Sequence, residues 1–199
     1  MSIAGIVLAA GSSSRLGRPK QTVVFDGETL VARAVRTAQE AGLSPVIAVI
    51  NPEGDFGHSL QQLGCLVVVN EGFVEGMASS IRRGVAVAKE MKASGVVLMT
   101  CDQVAVSPEH LRALCEDLTS ITGSGYAGKV GIPAYFPESS FDGLQQLSGD
   151  VGAREMLRTA RVVMNERLVL DIDTEDDLER AKLTTDAVAS SAKPPRSLR

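Results

Sequence analysis

Residues 3–20 read IAGIVLAAGSSSRLGRPK, an apolar run that passes directly into a polar loop with glycine and basic residues. The apolar part, Ile3 to Ala9, has the length and β-branched content of a strand that is buried on both faces. The loop from Gly11 to Lys20 brings two glycines and three cations together. Ligands of open α/β sheets bind beyond the carboxyl ends of strands, so this junction predicts a binding site.

The rest of the chain alternates short apolar runs with segments of helical periodicity, which is typical of βαβ units around a mostly parallel sheet. The predicted fold class is therefore α/β. Ser107 and Pro108 predict a helix start, with serine as N-cap and proline as first helical residue. We expect Met91 on the apolar face of its helix. The further predicted strands cover 46–50, 66–69, 96–99 and 168–172, and the predicted helices cover 30–41, 58–63, 79–92, 109–121 and residues from 174 onward.

The composition is that of a folded globular protein, with 44% apolar and 22% charged residues in a chain of 199. We expect one domain over residues 1–185 and a flexible tail over 186–199, where Ala, Ser, Lys and Pro dominate. A net charge of -4 gives no overall attraction to nucleic acid. The apolar runs are shorter than the roughly 20 residues that cross a bilayer, and no signal pattern precedes Ile3. We therefore expect a cytoplasmic protein without a membrane partner.

The cysteines do not form a metal-binding pattern. Cys65, Cys101 and Cys115 are widely spaced, and only His58 and His110 could complete a soft-metal site. Buried, reduced thiols are the simpler interpretation in a cytoplasmic protein. We assign the cysteines no chemistry.

The glycine-rich loop fits neither of the two commonest phosphate loops. A P-loop requires Gly-x4-Gly-Lys-Ser/Thr, whereas Gly17 lies six residues after Gly11 and precedes Arg18. The dinucleotide fingerprint requires a glycine where Ser13 stands. Glycines still let backbone N–H groups approach phosphate oxygens, and Arg15 and Lys20 can neutralise a triphosphate. An ordinary surface loop with solvated charges is the alternative.

The loop is part of a longer pattern, Leu-Ala-Ala-Gly-x-Ser-x-Arg-x-Gly-x-x-Lys, which closely resembles the signature of the molybdopterin nucleotidyltransferase-like family. The resemblance runs from Ile3 to about Leu183 and is strongest toward CTP:molybdopterin cytidylyltransferases. It implies a three-layer Rossmann-like nucleotidyltransferase fold. Its further segments are Asn70, residues 76–80, Gly84, Asp102-Gln103, residues 149–154 and residues 171–176.

Asp102 is the strongest candidate for a metal ligand. An acid at the tip of a parallel strand is well placed to hold Mg2+ together with substrate phosphates, although a cap for the next helix is the alternative. Asp171 and Asp173 are candidates for a second ligand, and we expect only one of them to bind the metal. The resemblance implies that Arg15, Lys20 and Asp102 are catalytic, with Lys20 near the α-phosphate.

The resemblance also implies a nucleoside triphosphate as substrate. The nucleobase would lie beside the first loop and residues 76–80, where the Ser80 hydroxyl can bond a pyrimidine edge. A plain helix N-terminus is the alternative for Ser79 and Ser80. Ala10 favours CTP, because related guanylyltransferases carry Gly-Gly where this sequence has Ala10-Gly11. The implied nucleotide-binding residues are Leu8, Ala9, Ala10, Gly11, Ser12, Ser13, Arg15, Lys20, Asn70, Gly76 and Ser80.

The implied acceptor is molybdopterin, with a molybdoenzyme as a possible receiver of the product. The Gly-, Tyr- and Pro-rich stretch from 123 to 137 predicts one or two short strands that cover the acceptor side instead of building the central sheet. Arg154 could contact an anionic acceptor or be a solvated helix residue. Val104 and Ile132 depart from the family pattern, the second on the acceptor side. The implied acceptor-binding residues are Gly131, Pro133, Gly149, Asp150 and Arg154.

Two other functions compete with this interpretation. The first is a nucleotidyltransferase for another acceptor, such as a sugar 1-phosphate or methylerythritol phosphate, although the sugar enzymes usually carry longer insertions. The second is a non-catalytic nucleotide-binding or cofactor-delivery protein with the same fold. The joint presence of Arg15, Lys20 and Asp102 favours an enzyme.

Overall fold

The computed structural model of the protein describes residues 2–11 and 18–191. Its strands are β1 (Ile3–Ala9), β2 (Val24–Phe25), β3 (Glu28–Thr29), β4 (Val46–Ile50), β5 (Leu66–Val69), β6 (Gly95–Thr100), β7 (Thr122–Tyr126), β8 (Lys129–Pro137) and β9 (Arg161–Met164). Its α-helices are α1 (Leu30–Glu40), α2 (Gly57–Gln62), α3 (Met77–Glu90), α4 (Pro108–Leu114), α5 (Phe141–Gln145) and α6 (Glu175–Ser191). The α/β class predicted from the sequence is confirmed.

Seven of the described strands form one sheet in the order β5-β4-β1-β6-β8-β7-β9, and β2 and β3 form a separate hairpin. The neighbours of β1, namely β4 and β6, run parallel to it, and β5 runs parallel to β4. β8 is antiparallel to both β6 and β7, whereas β9 is parallel to β7. The parallel half therefore carries the carboxyl strand ends at which a ligand is expected.

The prediction that residues 123–137 lie outside the central sheet is wrong. β8 pairs with β6 from Leu98 opposite Ala134 to Gly95 opposite Pro137 and so continues the sheet. β8 lies inside the sheet because its apolar segment is buried on both sides. Tyr135 and Phe136 point to opposite faces of the sheet, and both are fully buried. A strand that buries both faces belongs in the middle of a sheet.

Helices cover both faces of the sheet, which gives the three layers expected. Along β1, Ile6 and Leu8 belong to the core beneath α3, whereas Val7 and Ala9 belong to the core beneath α1 and α4. Gly84 lets α3 approach closely, since a Cβ at this position would stand 2.6 Å from Ile6 Cγ2. This packing fixes the start of α3 relative to the end of β1.

Several predicted element boundaries are wrong. The helix predicted over 109–121 ends at Leu114, and Met91, expected on a buried face, follows the end of α3 and is 52% exposed. The strand predicted over 168–172 is instead a short 3-10 helix, Glu166–Val169, with an irregular segment after it. Its apolar pattern arises because Leu168 and Ile172 are both buried in the core that contains α6. The last strand is β9, which the sequence analysis missed.

The start of α6 agrees with the prediction, and Ser107 caps α4 by accepting a hydrogen bond from the His110 backbone N–H at 3.3 Å. The predicted domain boundary at residue 185 falls inside α6, which is described to Ser191. The division into a domain and a flexible tail stays a prediction, and residues 192–199 lie outside the described residues. Within the described part of the chain, no helix combines the length and apolar character needed to cross a membrane.

Candidate active site

A cavity of about 680 Å³ opens at the carboxyl ends of β1 and β6. Ala10 and Gly11 enter it from β1, and Asp102 enters it just after β6. The first turn of α3 and the preceding loop form another wall. The lining residues are Leu8, Ala10, Gly11, Lys20, Gln21, Phe73, Val74, Glu75, Gly76, Met77, Ser80, Thr100, Cys101, Asp102, Asp150 and Asp173.

Gln21 holds the described ends of the glycine-rich loop together. Its side-chain Nε2 donates to the carbonyl oxygen of Ala9 at 2.7 Å and to that of Gly11 at 2.8 Å. Gln21 is 2% exposed, and Asn51 adds a longer contact from Nδ2 to the Ala10 carbonyl at 3.4 Å. These amides satisfy the carbonyls where β1 ends, so the end of β1 is held against the residue that follows Lys20. Of the predicted loop residues, Ser12, Ser13 and Arg15 lie outside the described residues.

Lys20 bridges two carboxylates at the base of the cavity. Its Nζ donates to Asp102 Oδ2 at 2.9 Å and also to Asp173 Oδ1. Burial lowers the pKa of Lys20, but the charges of Asp102 and Asp173 and the hydrogen bonds to them raise it above the ordinary value. Lys20 is therefore a charged ammonium at neutral pH. Lys20, Asp102 and Asp173, which are distant in sequence, thus meet at one point.

The start of α6 positions Asp173. Thr174 and Asp177 form a capping box, in which Asp177 Oδ2 accepts from the Thr174 N–H at 2.9 Å and Thr174 Oγ1 accepts from the Asp177 N–H at 3.2 Å. Asp177 Oδ2 also accepts from the backbone N–H of Asp173 at 3.2 Å. The hydrogen bond from the Thr174 hydroxyl is the main cause that lowers the pKa of Asp177 to about 2. Asp177 therefore stabilises the helix N-terminus and fixes the backbone that carries Asp173.

Asp171 is close to this cluster but does not line the cavity. Its Oδ1 is buried and lacks a hydrogen-bond partner among the described residues. Burial raises the pKa of Asp171 to about 6, and the charges of Asp102 and Asp173 act in the same direction. The backbone at 170–173 is irregular, so no strand geometry sets the relative orientation of Asp171 and Asp173. The choice between them as a metal ligand therefore stays a prediction.

The raised pKa of Asp171 predicts that Asp171→Asn increases the stability of the fold in a pH-dependent way. The folded wild type binds this proton more tightly than the unfolded chain, so its stability falls as pH rises from about 4 to about 6. We expect the melting temperature of Asp171→Asn in EDTA to exceed that of the wild type at pH 8, with the difference vanishing near pH 3.5. Asp142→Asn, at an 84% exposed side chain, is the control and should show no such pH dependence. A constant difference across this range would contradict the account.

Asn70 lies behind the first turn of α3 and does not line the cavity. It is 1% exposed, and its Nδ2 donates to Ser79 Oγ at 2.8 Å and to Ser80 Oγ at 3.0 Å. Ser80 reaches the cavity wall, as expected for a nucleotide-binding residue. Asn70 therefore supports the cavity wall from the side facing the core.

Gly76 joins this wall to the predicted acceptor segment. Its φ of +116° lies in the region that favours glycine, and a Cβ there would stand 2.8 Å from the Gly149 carbonyl oxygen. The Ala78 N–H donates to that same oxygen at 3.1 Å, and the Met77 N–H donates to Asp150 Oδ1 at 3.3 Å. Gly149 and Asp150 are thus brought against the nucleotide side of the cavity.

Glu75 and Arg82 form a second, exposed connection between α3 and the segment around residues 147–150. Arg82 donates from both terminal nitrogens to the Glu75 carboxylate, at 2.8 and 2.6 Å, and to the Leu147 carbonyl at 2.5 Å. The hydrogen bond from Arg82 holds the pKa of Glu75 below its ordinary value. Residues 147–150 are therefore tied to α3 by side-chain as well as backbone contacts.

The other predicted acceptor residues do not line the cavity. Gly131 and Pro133 lie on β8 in the central sheet, where the Pro133 carbonyl accepts from Ser124 Oγ at 2.6 Å. His110 Nε2 lies 2.7 Å from the same hydroxyl, and burial lowers the pKa of this imidazole. Arg154 is exposed. The roles of Gly131, Pro133 and Arg154 in acceptor binding stay predictions.

Cys101 lines the cavity, but its thiol is unsuited to act as a nucleophile. Burial raises its pKa far above the ordinary value, and the neighbouring charge of Asp102 raises it further. Because the thiolate is the reactive form, a buried thiol with a high pKa is inert. Burial also raises the pKa of Cys65 to about 11 and that of Cys115 to about 12.

Comparison with known proteins gives the family. Residues 5–166 match the MobA-like NTP transferase domain. This chain is a MobA-like NTP transferase. The matched region contains β1, the glycine-rich loop, α3 and Asp102, so the family resemblance seen in the sequence is confirmed.

Solved structures of Rv0371c from Mycobacterium tuberculosis H37Rv share both sequence and fold with this NTP transferase. One is 32% identical, covers 92% of this chain and 99% of that chain, and has a TM-score of 0.78. Another, described as a complex with manganese, is 30% identical with a TM-score of 0.70, and it covers 93% of this chain and 100% of that chain.

Two relatives extend the comparison. The purine catabolism protein PucB of Bacillus subtilis (strain 168) is 28% identical over 197 residues, which are 89% of this chain and 95% of that protein. A probable molybdenum cofactor guanylyltransferase of Opitutus terrae is 36% identical over 84 residues, 42% of each chain. These two relatives are thus named for different processes, purine catabolism and molybdenum cofactor synthesis.

Sequence reasoning missed the supporting residues of this NTP transferase. Gln21 follows Lys20 directly, and only its position after the loop could have indicated a role. Phe73, Val74 and Met77 line the cavity and were not among the predicted site residues. Arg18, the third cation of the loop, pairs with Glu175 at 2.7 Å on the surface. Such partners lie far apart in sequence, so no local pattern identifies them.

The contact at Gly76 predicts that Gly76→Ala weakens nucleotide binding by this NTP transferase. The added Cβ meets backbone atoms of Gly149 and Asp150 within 3.0 Å, and a strained backbone of this kind costs about 1–3 kcal/mol. If the wall shifts to relieve it, the dissociation constant for a nucleoside triphosphate should rise about tenfold in isothermal titration. Gly128→Ala is the control, since Gly128 also has a positive φ but has open space around it. Equal affinities of both variants and the wild type would contradict this role.

Proposed function

We propose that this NTP transferase moves CMP from CTP to the terminal phosphate of molybdopterin and releases pyrophosphate. The observation that carries the proposal is the Lys20 ammonium, held between Asp102 and Asp173 in the cavity at the ends of β1 and β6. One cation beside two carboxylates suits a site that must bind both a triphosphate and a divalent cation.

The proposed reaction needs no protein nucleophile. An ionised oxygen of the acceptor phosphate attacks the α-phosphorus of the nucleotide, and the bond from this phosphorus to the β-phosphate oxygen breaks. Pyrophosphate leaves with the bonding electron pair. Lys20 stabilises charge that develops on the α-phosphate, and backbone N–H groups of the loop bind the departing phosphates. The protein therefore lowers the barrier mainly by positioning and electrostatics.

The carboxylates fit Mg2+ as the cation of the proposed reaction. Among the described residues, no group of three or more His, Cys, Asp or Glu side chains could hold a metal alone. Mg2+ usually binds through one or two carboxylates and completes its shell with water and substrate phosphates. Asp102 would hold it with Asp173 or with the buried, unpartnered Asp171 Oδ1. When bound, the cation would neutralise phosphate charge.

Molybdopterin as the acceptor is supported by a relative and by the cavity wall. The Opitutus terrae relative carries the name of a molybdenum cofactor guanylyltransferase. Gly149 and Asp150, which we assign to the acceptor side, contact the Gly76 segment, and this supports an acceptor site beside the proposed nucleotide site. Transfer to a molybdoenzyme after the reaction is part of the proposal. A cytoplasmic location is supported by the three free cysteines.

Ala10 supports CTP as the nucleotide and gives a direct test of base choice. Its side chain lines the cavity and is 5% exposed, so its methyl group takes space that a larger purine would need. We expect Ala10→Gly to raise kcat/KM for GTP relative to CTP about tenfold, the scale on which a pocket senses one carbon atom. Ala38→Gly, on the buried face of α1, is the control for loss of a methyl group. An unchanged CTP to GTP ratio would contradict the assignment of Ala10.

The acceptor is tested by pyrophosphate release with each of four nucleoside triphosphates, Mg2+ and purified molybdopterin. We expect release that requires molybdopterin and is fastest with CTP. Sugar 1-phosphate and methylerythritol phosphate are the comparison acceptors. If pyrophosphate is released faster with either of these, that compound takes the place of molybdopterin as the proposed acceptor. If no pyrophosphate is released with any of the three acceptors, the cofactor-delivery alternative is favoured.

A further inference from the structure

The orientation of the Asn70 side chain is determined by the backbone. The Gly72 N–H points at Oδ1 of Asn70 at 3.1 Å. A backbone N–H can only donate, so the atom that faces it must be the amide oxygen. The amide nitrogen therefore faces Ser79 and Ser80, at 2.8 and 3.0 Å. At 1% exposure, Asn70 has no water with which to exchange these partners.

The two serine hydroxyls consequently differ in what they can still do. Both oxygens accept a hydrogen bond from Asn70, which leaves each hydroxyl hydrogen to be donated elsewhere. Ser79 donates to the Gly76 carbonyl oxygen at 2.9 Å. For Ser80, no acceptor within the described residues takes the hydrogen, and this side chain lines the cavity. The Ser80 hydroxyl is thus prepared as a donor toward a ligand.

We infer that Asn70 is a positioning residue that makes Ser80 a hydrogen-bond donor to an acceptor atom of the nucleobase. The inference rests on the proposed function, because it requires a nucleoside triphosphate in this cavity. It changes the role that the sequence analysis gave Asn70, from a contact with the nucleotide to a group that acts through Ser80. The atom read by Ser80 is a carbonyl oxygen or an unprotonated ring nitrogen, never an amino group.

The test is isothermal titration of the full chain with CTP and with inorganic tripolyphosphate, both with Mg2+ and without acceptor. Ser80→Ala should weaken CTP binding about fivefold to tenfold, the value of one hydrogen bond, and leave tripolyphosphate binding unchanged. Asn70→Asp should weaken CTP binding to a similar extent, because its carboxylate can only accept and draws the Ser80 hydrogen away from the base. Combining the two substitutions should cause no further loss.

Ser79→Ala is the matched control, since its hydroxyl is used by Gly76 and its loss should not change the ratio of CTP to tripolyphosphate affinity. If Asn70 has only a structural role, Asn70→Asp should weaken the binding of CTP and of tripolyphosphate to the same extent. That result would overturn the inference. Wild-type CTP affinity in Ser80→Ala would overturn it too, even if Asn70→Asp fails to fold. If the wild type binds no nucleoside triphosphate more tightly than it binds tripolyphosphate, the proposed function fails as well.

Discussion

Asp102→Asn should lower kcat for pyrophosphate release by about a hundredfold to a thousandfold, the range seen when a group that stabilises the transition state is removed. The substitution preserves shape and removes the charge that faces Lys20 and that would hold Mg2+. KM for the nucleotide should change less, because the loop and the α3 wall remain. Steady-state kinetics with saturating molybdopterin measures both constants.

The matched control for this charge removal is Asp142→Asn. Asp142 is 84% exposed and pairs with Lys89 at 3.2 Å on the surface. Its substitution should leave kcat within about twofold of the wild type, as for most surface changes. Full pyrophosphate-release activity of Asp102→Asn would remove the Asp102 carboxylate from the mechanism.

Lys20→Met should change two measurable properties in opposite directions. Loss of the ammonium should lower kcat about a hundredfold, since the developing phosphate charge loses its nearest described cation. The same loss should raise the affinity of the free protein for Mn2+ at least about fivefold, because removing a positive charge near Asp102 and Asp173 is worth about 1 kcal/mol even in water. Electron paramagnetic resonance of free Mn2+ measures this affinity without turnover.

Lys89→Met, at a 61% exposed lysine, should change neither property and serves as the control. If Lys20→Met binds Mn2+ no better than the wild type, Lys20 does not compete with the cation for the two carboxylates. If its kcat is unchanged, the assignment of Lys20 to the phosphates is wrong.

The part of the fold that follows from local pattern was predictable. β1, β4 and β5 were recognised because short apolar runs between turns have few alternatives, and α1 because its apolar residues keep helical spacing. β8 was misplaced because its Gly, Tyr and Pro content suggested short covering strands outside the sheet, whereas burial of Tyr135 and Phe136 on both faces decides its position. The prediction of a strand over 168–172 was wrong because apolar content alone does not distinguish a strand from an irregular segment that buries Leu168 and Ile172.

For the candidate site, the sequence identified residues better than their arrangement. Lys20 and Asp102 were predicted together from loop chemistry, strand-end position and family resemblance, and they meet at 2.9 Å. That Asp173 joins them depends on Asp177, whose Oδ2 accepts from the Asp173 N–H at 3.2 Å. The spacing of Thr174 and Asp177 predicts a helix cap but not where the cap places Asp173. The role of Asn70 depends on the direction of one backbone N–H, and this is known only once the chain is folded.

The central claim is that the α-phosphate of a nucleotide is transferred from this cavity to a phosphorylated acceptor. The most direct measurement is a quenched reaction with α-32P-labelled CTP, Mg2+ and molybdopterin, with separation of the labelled products. The account predicts label on the molybdopterin product and one pyrophosphate for each label transferred. Label that remains on CTP, or that appears as free CMP at a rate independent of molybdopterin, would contradict it.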